Sequence, residues 1–334
     1  MRFLLESEHT DLASSIDAML TRTDVPKVVR ALVDGDARPT ADVWSRLADT
    51  GVTALLVGEE SGGMGAGAIE MVVAVEQLGR HCVPGPVAES VAVVPWLLAA
   101  AGRTDLLDPV LSGQPATIAH ATLARRAADT GLCSTVLALD GSRLTVATVL
   151  DTHRSVDPAR TVSDVAPGDT LADGVDARRA GDLGVLATAA QLLGLASGML
   201  TLASDHARSR TQFGRAIGSF QAVKHHLADV AIAIEMARPL VHGAALAVDA
   251  EDAADAEDAA DAVPTDVTRD VSAAIVACGR AADLAARTGL QTLGAIGYTR
   301  EHDLSLYLTK TRALLTAWGT PAQHRRRVLK AITP

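Results

Sequence analysis

The chain has 334 residues, a formal net charge of −10, 48% apolar residues and only 2% aromatic residues. A core built from Ala, Val and Leu favours closely packed helices, because Ala loses no side-chain entropy on folding, and this length suits two or three packed units. The acidic balance opposes sequence-independent attraction to nucleic acid or to an anionic membrane, so we exclude both as main partners. The three widely spaced cysteines, Cys82, Cys133 and Cys278, fit neither a disulfide framework nor a zinc site.

Residues 1–112 predict an N-terminal helical domain. Apolar residues recur at three- and four-residue spacing from Glu8 to about Ser112, as in amphipathic helices. The glycine-rich segment 58–70 interrupts this pattern, and we expect a bend between two helices there. The acidic N-terminus contains no apolar stretch of signal or membrane length, so we expect a cytoplasmic protein.

Residues 113–178 predict a small β domain. Short runs such as STVLAL and RLTVATVL are separated by the turn signals DG, DP and PGD. The Asp140-Gly141 pair predicts a hairpin turn between two of the strands.

Residues 179–334 predict a C-terminal helical bundle. Helical periodicity covers 181–208, 219–248, 269–293 and 303–317, and a short basic end follows. The segment 249–266, DAEDAADAEDAADAVPTD, is a near-perfect acidic repeat without an aromatic residue. Such a segment buries too little apolar surface to order itself, so we predict a solvated, mobile low-complexity loop or a frayed helix end.

The run RSRTQFGRAIGSFQ begins at Arg208 and holds two of the three phenylalanines of the chain. It resembles the C-terminal signature of FAD-dependent acyl-CoA dehydrogenases, in which R-x-[QT]-F-G precedes F-Q and a long helix. The resemblance implies that this motif contacts the diphosphate and adenosine half of an FAD seated mainly in the neighbouring subunit. The residues expected to make these contacts are Arg210, Gln212, Phe213, Ile217 and Phe220.

A second motif, QTLGAIGY, begins at Gln291 and is similar to the family's Q-x-x-G-[GA]-x-G-[YF] sequence, which also serves the FAD of a neighbouring chain. Glycines there let the backbone approach a phosphate closely, and the Gln291 amide can donate a hydrogen bond. The resemblance implies that Gln291, Gly294 and Ala295 complete the FAD contact. The sequence GYTREHDLSLY that ends this region is similar to a bacterial branch of the family that acts on steroid-derived or branched acyl-CoA thioesters.

The motifs with which members of this family hold their own flavin are absent. The middle domain lacks both the T-E-P turn and the W-x-T-[SN] strand that cradle the flavin ring and the thioester. Dehydrogenation also needs a carboxylate that removes the α-proton. The two positions at which the family keeps this base align with Trp318 and Gly184, and neither side chain can remove a proton. Asp182, two residues from Gly184, is the fallback base if the alignment slips.

The histidines predict no metal site. His225 and His226 are adjacent on a predicted helix and therefore point about 100° apart, which prevents them from sharing an ion. His302 and His324 flank Trp318 without a carboxylate at ligand spacing. We predict surface or structural positions for all four.

The sequence therefore predicts a mostly α protein with the acyl-CoA dehydrogenase fold. The retained motifs act on a neighbour's flavin and the lost ones act on a chain's own, which indicates a non-catalytic subunit. The expected assembly is a two-plus-two heterotetramer with a full-length subunit that shares FAD with this chain, desaturates an acyl-CoA and passes electrons to an electron-transferring flavoprotein. Two alternatives stay open, a self-sufficient homomer with Asp182 as base and a flavin-free scaffold protein.

Overall fold

The computed structural model describes residues 5–256 and 266–333. Within them, the N-terminal unit is helical, as the sequence predicts. These helices are α1 (Ser7–Thr23), α2 (Val25–Val33), α3 (Arg38–Asp49), α4 (Ala68–Arg80), α5 (Val94–Ala100) and α6 (Thr104–Leu111). Prolines in the first turns of α2, α3 and α5 fit these starts, because a helix does not need the missing N–H there.

Trp44 on α3 anchors this unit. Its ring is fully buried and its indole N–H donates to the Pro84 carbonyl at 3.1 Å. A π-helical turn, Glu89–Val93, precedes α5 and is buried throughout. This turn places the Glu89 carboxylate against the C-terminal part of the chain, where it meets Trp318.

The middle of the chain forms a five-stranded sheet. Its strands are β1 (Ala116–His120), β2 (Ala127–Ala128), β3 (Thr135–Asp140), β4 (Arg143–Arg154) and β5 (Thr161–Ala172), in the order β1-β3-β4-β5-β2. Strands β1 and β3 are parallel, and the other neighbours are antiparallel. The predicted turn at Asp140-Gly141 is present, with Asp140 paired to Arg143 and Gly141 at φ +56°. The sheet confirms a small β domain.

The C-terminal part is a helical bundle with one two-stranded hairpin. Its elements are α7 (Ala177–Ser209), β6 (Thr211–Gln212), β7 (Arg215–Ala216), α8 (Gln221–Ala256), α9 (Val267–Leu293), α10 (Leu304–Leu314) and α11 (Pro321–Ile332). Helix α7 packs against both α4 and α9. Glycines make this approach close, since an added Cβ at Gly194 would collide with the Glu76 carbonyl and one at Gly79 with the Gln191 carbonyl.

The acidic segment begins as a helix. Helix α8 continues to Ala256, so residues 249–256 are helical rather than a loop, while residues 257–265 of the predicted loop or frayed helix end lie outside the described chain. The Asp249 carboxylate accepts the Ala68 N–H at 2.6 Å and thereby caps α4. Glu251 pairs with Arg178 at 2.9 Å and with Arg179 at 3.3 Å. These partners lie far away in sequence, and their contacts extend the helix beyond its apolar stripe.

The basic C-terminal end is also a helix. Thr320 and Gln323 form a capping box at the start of α11, and Pro321 occupies its first turn. Both features favour a helix N-terminus at this point.

Two helices, α7 and the Gln221–Glu251 part of α8, have the length and apolar composition of a membrane span. The apolar window of α7 is 89% buried inside the protein, as in the core helix of a globular domain, whereas that of α8 is 44% buried. One face of α8 is therefore exposed.

Candidate functional site

The first predicted FAD motif forms a protruding hairpin. Helix α7 ends at Ser209, and the Gln212–Arg215 pair closes a two-residue turn in which Phe213 has φ +52° and Gly214 has φ +78°. Two central residues with positive φ make a type I′ turn, the form that matches strand twist. A bulky residue such as Phe213 in this conformation is strained by about 1–3 kcal/mol, and such strain clusters at ligand sites.

Most side chains of this hairpin are exposed to solvent. Phe213 is 91% exposed, and its ring meets that of Phe220 edge to face at 6.1 Å. The Arg215 guanidinium lies 4.1 Å over the Phe220 ring, while Ile217 is half-buried. Arg210 and Gln212 are exposed, and in the described residues neither side chain has a hydrogen bond or ion pair. Their donors are free for a ligand or for another subunit.

The second predicted motif lies at the end of α9. Gln291 and Ala295 are exposed, and Gly294 has φ +64° with no heavy atom within 4 Å of the position a Cβ would take. The loop that follows this motif approaches the end of α7. Burial lowers the pKa of His206, and the nearby positive charges of His302 and Arg210 lower it further. Arg210 of the first motif and His302, four residues beyond the second, therefore both lie near His206.

The two positions at which the family keeps its catalytic base lie in contact with each other. The Trp318 ring packs on Gly184 so closely that a Cβ there would be 2.5 Å from the ring. Trp318 is fully buried, its indole N–H donates to Glu89 Oε1 at 3.0 Å, and the His120 ring lies edge-on at 5.9 Å. The Trp318 indole therefore occupies one of these positions and covers the other, Gly184.

Asp182, the fallback base, belongs to a buried ionic network. Its side chain is 2% exposed and accepts a hydrogen bond from Thr268 Oγ1 at 2.7 Å and another from Arg178 at 3.2 Å. Arg327 lies 4.0 Å away. Burial raises the pKa of Asp182, and Thr268, Arg178 and Arg327 oppose that rise. The carboxylate ties α7 to α9 and α11 and lines none of the described cavities.

A cleft of about 760 Å³ lies between the β domain and the C-terminal helices. Glu89 lines it, together with Gly319 and Thr320 on the far side of Trp318. The sequence motifs do not point to Glu89, although its position in the sequence is unusual for an acidic residue. It is the single carboxylate between Val83 and Ala101, and an isolated acid in an apolar helical run is expected to have a specific partner.

The remaining reactive side chains form no site in the described residues. There is no group of three or more potential metal ligands in that part of the chain. His225 and His226 are exposed, as predicted. Cys82 and Cys278 are buried, and burial raises the pKa of the Cys82 thiol to about 12. Both thiols are therefore neutral and inert at physiological pH.

Known proteins resemble this chain along almost its whole length. Family models of the N-terminal and C-terminal domains of acyl-CoA dehydrogenases match residues 6–113 and 179–333. Acyl-CoA dehydrogenase IpdE2 of Mycolicibacterium smegmatis is 28% identical over 97% of this chain and 98% of its own length. Among solved structures, the ChsE4-ChsE5 complex from Mycobacterium tuberculosis matches with a TM-score of 0.82 at 24% identity over 100% of both chains. The Tcur3481-Tcur3483 steroid ACAD matches with a TM-score of 0.82 at 23% identity over 97% of both chains.

Proposed function

Because the chain belongs to the acyl-CoA dehydrogenase family, we propose that it is the non-catalytic subunit of a heteromeric enzyme of that family. One observation carries this proposal. The Trp318 indole, packed on Gly184 and hydrogen-bonded to Glu89, fills the space where the family would place a base. No carboxylate stands at either position, so we infer that a group on another chain removes the proton.

The exposed motifs fit an FAD that is shared with a partner. Arg210 and Gln212 present free donors, and the open backbone at Gly294 leaves room for a diphosphate. Phe213 offers a flat apolar face beside these donors. In this arrangement the chain binds and orients the adenosine diphosphate half, and FAD supplies the hydride acceptor for the acyl-CoA substrate.

Helix α8 offers a surface for the partner subunit. Ile232, Met236 and Leu240 follow each other at four-residue spacing and are 61%, 71% and 43% exposed. A groove beside them is lined by Ala233, Met236 and Leu240 of α8 together with residues of α9. An exposed apolar stripe on a core helix marks a protein interface. A full-length acyl-CoA dehydrogenase subunit is the proposed occupant, in a two-plus-two heterotetramer.

The similar structures support this assembly and its substrate class. One is the ChsE4-ChsE5 complex, and the other is the Tcur3481-Tcur3483 steroid ACAD. We therefore propose an acyl-CoA derived from a steroid as substrate. An electron-transferring flavoprotein is the proposed electron acceptor.

A self-sufficient homomer remains the competing function. Asp182 is committed to Thr268 and Arg178, but Glu89 lines the cleft and could act as a base in its place. The homomer would therefore depend on one of these two carboxylates of this chain.

The test is reduction of flavin by substrate in the complex as purified. We expect Asp182→Asn and Glu89→Gln in this chain to leave the rate of flavin bleaching within about twofold, with flavin content and melting temperature measured in parallel. Replacing the base carboxylate of the partner should abolish bleaching. A folded, flavin-replete Asp182→Asn or Glu89→Gln complex that no longer bleaches would contradict the proposal.

A further inference from the structure

The loop that follows the second FAD motif lies beside the end of α7. Helices α7 and α10 pack so closely that a Cβ at Gly198 would be 2.5 Å from the Tyr307 ring. His206 lies in the last turn of α7, and His302 lies just before α10. In keeping with this packing, His302 and Arg210 both act electrostatically on His206. Two histidines therefore stand near the arginine of the first FAD motif.

The N-terminal helices fix the loop that carries His302. Arg30 of α2 donates to the Glu301 carbonyl at 2.9 Å and pairs with the Asp303 carboxylate at 2.7 Å. These two contacts flank His302 in the sequence, so its backbone is held on both sides. A loop fixed in this way can present a side chain to a ligand without a further loss of backbone entropy.

The hydrogen bonds of His302 leave one ring nitrogen unused. Its Nδ1 accepts the Leu304 N–H at 3.1 Å. A ring nitrogen that accepts a hydrogen bond carries no proton, so the neutral imidazole has its proton on Nε2. This Nε2 has no hydrogen bond or ion pair within the described ranges. His302 therefore presents a free N–H donor for as long as it accepts from Leu304.

His206 is a half-buried histidine whose ring is free on both sides. Its carbonyl accepts the Arg210 N–H at 2.8 Å, but neither ring nitrogen has a hydrogen bond in the part of the chain that the structure describes. Burial lowers the pKa of His206, and the positive charges of Arg210 and of protonated His302 lower it further. An anion placed among these groups would favour the charged form of His206.

The acids next to the two histidines already have cationic partners. Asp205 pairs with Arg208 at 3.0 Å, and Asp303 pairs with Arg30 at 2.7 Å. The other charged side chains on the neighbouring parts of α2, α8, the hairpin and the loop are exposed, and they are Lys27, Asp34, Arg215, Lys224, Arg300 and Glu301. Four of these six are basic, so the surroundings of the histidines attract an anion.

We propose that His206 and His302 join Arg210 in binding the diphosphate of FAD, and that His206 makes this binding stronger as pH falls. The inference rests on the proposed function, which places FAD at Arg210. His302 contributes a neutral N–H donor from Nε2. His206 contributes a charge that FAD binding stabilises, so binding takes up a proton. The added affinity is present at low pH and is lost as pH rises and His206 becomes neutral.

Equilibrium release of FAD from the complex with the partner subunit, followed by flavin fluorescence between pH 5.5 and pH 8, tests both roles. Wild type should bind FAD about three- to tenfold more tightly at pH 5.5 than at pH 8, since one unit of pKa corresponds to tenfold. His206→Gln should remove this dependence, because an amide does not titrate. His302→Asn keeps an acceptor for the Leu304 N–H but loses the Nε2 donor. It should weaken FAD binding about three- to tenfold at every pH and retain the slope.

The control is His153→Gln, which removes an exposed histidine of the β domain and should behave as wild type. Melting temperatures check the fold, and His206→Asn is the second variant at that position. Arg210→Ala separates this inference from the proposed function. If Arg210→Ala weakens FAD binding, then a wild-type pH profile in both His206 variants or wild-type affinity in His302→Asn would overturn the inference alone. Unchanged affinity in Arg210→Ala would overturn the proposed function and the inference with it.

Discussion

Two regions of the molecule differ in burial and in whether their polar side chains have partners. The proposed FAD-contact surface, formed by Arg210, Gln212, Phe213, Gln291 and Gly294, is exposed and leaves its polar side chains without partners in the described chain. The Trp318 cluster, formed by Trp318, Gly184, Glu89 and His120, is buried and fully packed. The first region leaves polar side chains free beside a residue with positive φ, whereas the Trp318 and Glu89 side chains of the second are hydrogen-bonded to each other in the core. On the proposed function, this contrast distinguishes a subunit that assists catalysis from one that performs it.

The largest effect is expected in the Trp318 cluster. Trp318→Glu removes a fully buried ring and places a second carboxylate beside Glu89, so it should cost more than the about 3–5 kcal/mol typical of emptied tryptophan sites. It should also create no dehydrogenase activity, because a base is useless without a flavin ring opposite the substrate. Urea unfolding and a flavin-reduction assay measure both results.

Trp318→Phe is the matched control for that experiment. It keeps an aromatic ring but removes the donor to Glu89, so we expect a loss of about 1–3 kcal/mol. A stable Trp318→Glu chain that reduces flavin without a partner would mean that the Trp318 region is a working active site.

The next effect concerns the pH dependence of stability near the cleft. Burial raises the pKa of Asp129 to about 6 in the folded protein from 3.8. The folded state therefore binds this proton more tightly than the unfolded state, and the stabilisation present below pH 4 is lost as pH rises from about 4 to 6. The loss amounts to about 3 kcal/mol for a shift of this size.

Asp129→Asn should remove that part of the pH profile, because the amide keeps an acceptor for the Thr161 N–H and does not ionise. Chemical unfolding of both proteins between pH 4 and pH 7 gives the comparison. Parallel profiles for wild type and variant would show that Asp129 is not the titrating group.

The smallest effect is expected on the FAD-contact surface. Arg210→Ala should weaken FAD retention by the assembled complex by about 1.5–3 kcal/mol, the value of a hydrogen bond to a charged group. The fold should be unaffected because Arg210 is exposed. Arg208→Ala, which removes an exposed arginine paired with Asp205, is the control and should retain FAD normally. Equal FAD affinity in both variants would remove Arg210 from the shared site.

Local sequence predicted the parts of the fold that depend on local physics. The helices and the Asp140-Gly141 turn were predicted correctly because each depends on residues close together in the chain. The extension of α8 was missed because Asp249 caps α4 from a distance of 181 residues, which no local pattern shows. Asp182 was kept as a base for the same reason, since its partner Thr268 lies 86 residues away. Contact between Trp318 and Gly184 likewise appears only in three dimensions.

The ratio of FAD to each chain in the purified complex tests the central claim most directly. It can be obtained from flavin absorbance together with native mass spectrometry after production of this chain with and without its partner subunit. Our account predicts one FAD for each pair of unlike subunits and a colourless preparation when this chain is produced alone. A homomeric preparation with one tightly bound FAD per chain and acyl-CoA dehydrogenase activity would contradict it.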